Sequence, residues 1–74
     1  MATTKRSVTL HRHRTSVALE PEFWSVLDAA AEKRGITFSR LIAELDDQRV
    51  AGKSQAGLAS YLRVWALKIV QSKQ

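Results

Sequence analysis

The side chains best suited to bind a ligand lie on one face of a short alternating segment, HRTSVAL, residues 13–19. Alternation along an extended strand places Arg14, Ser16 and Ala18 on one face and the apolar odd-numbered residues on the other. A guanidinium and a hydroxyl both donate hydrogen bonds, and neither carries negative charge. This face therefore favours a ligand that is rich in acceptors.

Charge is distributed unevenly along the 74 residues, whose formal net charge is +5. Residues 1–14 contain four bases and no acid, residues 15–51 sum to −3, and residues 52–74 contain four bases and no acid. The positive charge therefore lies at the two ends. A basic N-terminal segment beside a nearly neutral body predicts a polyanionic partner.

No catalytic motif is found. The chain lacks cysteine, which excludes disulfides and cysteine-ligated metals. It has no phosphate-binding loop and no nucleophile elbow, and Asp46 and Asp47 would point about 100° apart on a helix. We expect no enzymatic activity and no cofactor. Without a signal peptide or a long apolar run, we expect a cytoplasmic, nucleoid-associated protein.

Three helices are predicted to follow the strand, giving a mostly α fold with one short β-strand. Pro21 suits the first position of a helix, and Gly35 suits the left-handed residue after its end. Thr37 is a suitable cap for the second helix, and two glycines mark 50–57 as a loop before a third helix at 58–72. The apolar residues expected in the core of the dimer are Val17, Leu19, Phe23, Trp24, Leu27, Leu41, Ile42, Leu45, Leu62 and Trp65.

A lone strand would leave its backbone groups unpaired, which favours pairing with another chain. Residues 7–10 alternate more weakly and out of phase with 13–19, so we expect a kink, bulge or turn near residues 11–13. A hairpin through HRHR is the rival arrangement, but this link has no Gly, Asn, Asp or Pro. We therefore predict that 13–19 pairs antiparallel with itself across a two-fold axis, in an intertwined homodimer.

The order of these features resembles the ribbon-helix-helix DNA-binding proteins of the Arc and MetJ type. The resemblance rests on TSVALEPEFW, on AAEKRGITFSRLIAELD and on the appended LASYLRVWALKIV, and it extends from Lys5 to Val70. It implies a basic arm at 1–12 with a short extra strand, a ribbon-helix-helix core at 13–49, a loop at 50–57 and a helix at 58–72 that packs on the dimer.

The resemblance implies a small homodimeric repressor or autoregulator that binds double-stranded DNA, with higher-order assembly on DNA left open. In this family the ribbon lies in the major groove, which implies base contacts from Arg14, Ser16 and Ala18. Ala18 is shorter than the polar side chain usual at such a position. The implied phosphate contacts are Lys5, Arg6, Arg12, Thr37, Phe38, Ser39 and Arg40. Phe38 also suits an apolar packing role.

Three other interpretations remain open. The dimer could serve as a protein-interaction module with little DNA binding, in which the C-terminal helix captures a partner. His11 and His13, at i and i+2 on a strand, could meet their copies in a metal site, although we expect no metal. The segment LRVWALKIVQSK has the composition of a helix that lies on an anionic membrane, although we expect no membrane association.

Overall fold

The computed structural model of the chain describes residues 2–72, which form a two-stranded antiparallel sheet followed by three helices. The elements are β1 (Thr4–Leu10), β2 (His13–Leu19), α1 (Pro21–Arg34), α2 (Phe38–Ala51) and α3 (Leu58–Ser72). Within these described residues, none of the helices combines the length and the apolar character needed to cross a bilayer.

The two strands form a hairpin within one chain. Their register runs from Leu10 opposite His13 to Thr4 opposite Leu19. The connecting residues His11 and Arg12 have φ values of 48° and 71°, so both adopt the left-handed conformation that a two-residue hairpin turn requires. The prediction that the chain contains a single strand is therefore wrong, because β1 and β2 form the hairpin that was the rival arrangement. Pairing of β2 with a second copy stays a prediction.

Turn chemistry alone disfavours this hairpin, because left-handed φ at a residue other than glycine costs on the order of 1–3 kcal/mol. Pairing along the strands and apolar burial offset that cost. Val8 on β1 is 2% exposed, and the His11 imidazole bonds to Asp47 at 2.6 Å, which holds the turn against α2. The turn itself lies where the phase change between the two alternations predicts it.

The inner face of the hairpin packs on the helices and forms an apolar core with them. Trp24, predicted in the core of a dimer, is 2% exposed within its own chain. The buried apolar residues are Val8, Val17, Leu19, Trp24, Leu27, Ala31, Leu41, Ile42, Leu45, Leu62 and Ala66. Phe23 and Trp65, also predicted in the core, are partly buried against it.

The ends of α1 and the start of α2 follow the sequence signals, whereas α2 continues to Ala51, two residues into the segment predicted as a loop. Pro21 begins α1, and Gly35 ends it with φ of 68°. The Gly35 N–H donates to the Glu32 carbonyl at 3.0 Å, which satisfies one of the terminal carbonyls of α1. At the start of α2, the Thr37 hydroxyl accepts from the Arg40 N–H at 3.1 Å, so Thr37 caps the helix as predicted.

Arg6 lies on the inner face of β1, between two aromatic rings. Its guanidinium carbon is 4.8 Å from the centroid of the Trp24 ring and 4.9 Å from that of Phe38. The guanidinium donates both of its Nη groups to the Asp28 carboxylate, at 2.9 and 3.0 Å, and this bond raises the pKa of Arg6. One side chain thus connects β1 to α1 and α2.

We expect Arg6→Ala to lower the free energy of unfolding by about 1–2 kcal/mol. The Arg6 and Asp28 side chains are 35% and 47% exposed, so the ion pair contributes little, and most of the loss comes from the ring contacts and the packed stem. Urea denaturation measures the change. Lys5→Ala removes the same charge from the opposite face of β1 and should cost less than about 0.5 kcal/mol. Equal losses would contradict the assignment.

Candidate nucleic-acid interface

The side of the hairpin that faces away from the helices presents polar and basic side chains. Cross-strand pairing joins Lys5 to Ala18, Ser7 to Ser16 and Thr9 to Arg14. These residues form the outer ribbon face: Lys5, Ser7, Thr9, Arg14, Ser16 and Ala18. All of them are exposed except Ala18, which is half-buried. The face is therefore a flat row of hydrogen-bonding groups without a large apolar side chain.

Ser7 and Thr9 belong to this face although they were not among the sequence-predicted site residues. The sequence did indicate their position, because Ser7 and Thr9 alternate with Val8 and Leu10, which face the core side. Only the pairing of β1 with β2 places the hydroxyls next to Ser16 and Arg14. A hydroxyl both donates and accepts, so it can bond to several base edges.

The predicted phosphate-binding bases divide into two groups. Lys5 lies on the outer ribbon face, and Arg12 lies in the exposed turn. Arg6 lies on the opposite face, bonded to Asp28 and stacked on two rings. We therefore leave Arg6 out of the candidate interface and regard it as a structural residue.

The N-terminal turn of α2 lies beside β1, as the contact between the Phe38 ring and the Arg6 guanidinium shows. Ser39 and Arg40 are exposed there, and the free N–H groups of a helix start attract anions. Phe38 itself is half-buried, with its ring in edge contact with Trp24 at 5.6 Å between centroids. Its side chain thus has the packing role, while its neighbours remain available to a phosphate.

His11 and His13 are not equivalent residues of one strand. His11 lies in the turn and bonds to Asp47, whereas His13 begins β2. The i and i+2 geometry behind the metal interpretation does not hold for His11. Within residues 2–72 the structure gathers no group of three histidine, aspartate or glutamate side chains able to hold a metal.

The hydrogen bond to Asp47 raises the pKa of His11, with a further contribution from the Asp47 charge. Because the pKa of His11 is raised in the folded state, the contact contributes its full stabilisation at pH values below the unfolded-state pKa of about 6.5. That contribution is lost as the pH rises through the folded-state pKa.

We expect Asp47→Ala to lower the pKa of His11 in an NMR titration, and Glu32→Ala, which removes an exposed acid of α1, to leave it unchanged. An unaltered His11 titration in Asp47→Ala would contradict the contact.

Arg63 of α3 forms hydrogen bonds at the C-terminal end of β2. Its Nε donates to the Glu20 carboxylate at 3.0 Å, and its Nη2 donates to the Ala18 carbonyl at 3.4 Å. The backbone N–H of Glu20 and the Arg63 guanidinium both lower the pKa of Glu20. The Ala18 end of β2 is therefore covered by α3.

Comparison with known proteins agrees with this arrangement. A model of the ribbon-helix-helix domain family matches residues 3–70. The solved structure of an uncharacterized protein from Bordetella pertussis Tohama I is 33% identical in sequence to this chain, with a TM-score of 0.80. The match covers 97% of this chain and 60% of that protein, so the chain spans about three fifths of its length. No curated protein matches the sequence. Because the family match extends over nearly the whole chain, the protein belongs to the ribbon-helix-helix domain family, whose members are typically DNA-binding regulators.

Proposed function

We propose that the protein is a homodimeric, sequence-specific DNA-binding regulator that acts as a repressor or autoregulator. A two-stranded β-ribbon fits the major groove of B-DNA, where base edges carry a distinct pattern of donors and acceptors. The observation that supports this most strongly is the division of the hairpin into two faces. The inner face is committed to the core, and the outer ribbon face is free of large apolar side chains.

Each residue of the outer ribbon face has a role that its chemistry permits. Arg14 can donate two bonds to the O6 and N7 atoms of guanine, and Ser7, Thr9 and Ser16 can donate to or accept from several bases. Ala18 can contact only an apolar group such as a thymine methyl. In this proposal discrimination is therefore concentrated at Arg14 and the hydroxyls.

Sequence-independent affinity would come from bases beside the ribbon. Lys5, Arg12 and Arg40 are exposed, and the capped start of α2 adds backbone N–H groups that suit a phosphate. Such contacts orient a protein on the duplex without reading sequence. They would hold the ribbon in the groove while the outer ribbon face reads the bases.

We place the proposed dimer contact at the free edge of β2. In a two-residue hairpin the pair that closes the turn, here Leu10 and His13, is joined by backbone hydrogen bonds. Along β2, residues whose backbone N–H and C=O bond to β1 alternate with residues whose N–H and C=O point away from it. Arg14 and Ser16 are of the second kind. The Ala18 carbonyl, next in this series, already accepts from Arg63. Two copies related by a two-fold axis could pair through Arg14 and Ser16, which would widen the ribbon.

Sedimentation at micromolar concentration tests whether the protein is a dimer. A folded monomer that still bound DNA tightly would contradict the dimer.

Arg14→Ala is expected to weaken binding to the specific site by about 1–3 kcal/mol, or roughly 5- to 150-fold. Ser16→Ala should give a smaller loss, because a single hydroxyl makes fewer base contacts. Gel-shift titration on the promoter of the protein's own gene, with a random duplex in parallel, separates readout from electrostatic binding.

Lys53→Ala is the matched control, since it removes an exposed base from the loop between α2 and α3. It should leave specific affinity nearly unchanged. Equal retardation of wild type, Arg14→Ala and Ser16→Ala on the promoter would contradict base readout by the ribbon and favour the protein-interaction module.

A further inference from the structure

A groove of about 510 Å³ lies between α1 and α3 and shares no lining residue with the outer ribbon face. Apolar side chains of both helices line it, among them Val26 and Ala30 of α1 and Trp65 and Ile69 of α3. Its polar lining is limited to two serines and the two bases of the last turn of α1. It offers few of the convergent polar groups that orient a small hydrogen-bonding ligand.

The helix beside the groove is apolar on more than its core-facing side. Leu62 and Ala66 are buried in the core, whereas Val64, Leu67 and Val70 are 48%, 50% and 42% exposed. An isolated helix on a protein surface usually has a polar outer face. The apolar surface of α3 thus continues from the groove to the exposed side, as expected for a helix that packs against a further element.

The charge around the groove indicates the nature of that element. Lys33 and Arg34 line the groove, and none of its lining residues is an acid. Arg34 already pairs with Glu44 at 2.8 Å, whereas Lys33 forms no ion pair within residues 2–72. A second copy docked on this face would bring like charges together, while an acidic surface would complement them.

We infer that this groove binds an acidic amphipathic helix of a partner protein. Apolar side chains at i, i+3, i+4 and i+7 would enter between α1 and α3, and the small Ala29 and Ala30 would let the helix approach closely. Acidic residues on the flank of the helix would meet Lys33 and Arg34. This binding does not depend on the proposed DNA contacts, because the groove and the outer ribbon face share no residue.

The probe is a synthetic peptide of roughly 18 residues, long enough to be helical, with leucine at the four spaced positions and glutamate on its flanks. A second peptide carries lysine in place of every glutamate. Fluorescence anisotropy of the labelled peptides, titrated with the full-length protein, measures both affinities. We expect the acidic peptide to bind at least about 10-fold more tightly, and Lys33→Glu or Ala29→Glu to weaken it several-fold.

Lys53→Glu makes the same charge change outside the groove and should leave peptide affinity unchanged. Circular dichroism checks that the groove variants fold. Equal binding of the two peptides would overturn the inference, as would insensitivity to both groove substitutions. Two further results would overturn it in favour of another occupant: self-association that Ala29→Glu abolishes, which assigns the groove to a second copy, or displacement of the acidic peptide by anionic vesicles.

Discussion

Replacement of Trp24 by alanine is expected to lower the free energy of unfolding by about 3–5 kcal/mol. The side chain is 2% exposed, and its indole N–H donates to the Thr4 carbonyl at 2.7 Å. The ring also contacts Phe38 and Arg6. Small domains unfold with only about 5–15 kcal/mol, so the loss would leave a substantial unfolded population at ambient temperature. Urea denaturation followed by circular dichroism measures it.

Two variants show where the loss originates. Trp24→Phe keeps an aromatic ring but removes the indole N–H, and should cost less than Trp24→Ala. Trp65 is only partly buried at the edge of the core, so Trp65→Ala should cost less as well. If Trp65→Ala proved as destabilising as Trp24→Ala, Trp24 would not be the residue that joins β1 to the helices.

DNA affinity is expected to fall by about three orders of magnitude between 50 and 200 mM salt. Each phosphate neutralised contributes about 0.9 to the slope of log affinity against log salt concentration. The bases proposed to contact phosphate are Lys5, Arg12 and Arg40 in each copy, so a dimer that used all of them would give a slope of about −5. Anisotropy titrations of a labelled duplex at four salt concentrations measure the slope.

Arg40→Ala removes one phosphate contact per copy, so the slope of a dimer should become shallower by about 2 while sequence preference is retained. Lys53→Ala, which removes a base outside the proposed interface, should not alter it. A shallow slope for wild type, or one insensitive to Arg40, would count against phosphate binding at the start of α2.

Local signals in the sequence were sufficient for the helices and for one face of β2. Pro21, Gly35 and Thr37 act on the backbone within one turn of their own positions, so the helix ends follow from residue type. The apolar spacing likewise predicted most of the helical core residues, because burial of a stripe depends on helical periodicity, although Phe23 and Trp65 are only partly buried. Alternation alone placed Arg14 and Ser16 away from the core.

Only the tertiary structure decided how the ribbon is built. Whether β1 pairs with β2 depends on the balance between two strained turn residues and a set of distant contacts, including the burial of Val8 and the His11–Asp47 bond. Neither the apolar alternation of the sequence nor the turn preference of its residues reveals those distant contacts. Once β1 is paired, its register sends Arg6 inward to Asp28 and sends Ser7 outward. The residues of the candidate interface on β1 therefore follow from long-range packing, since a strand exchanges its two faces when its register shifts by one residue.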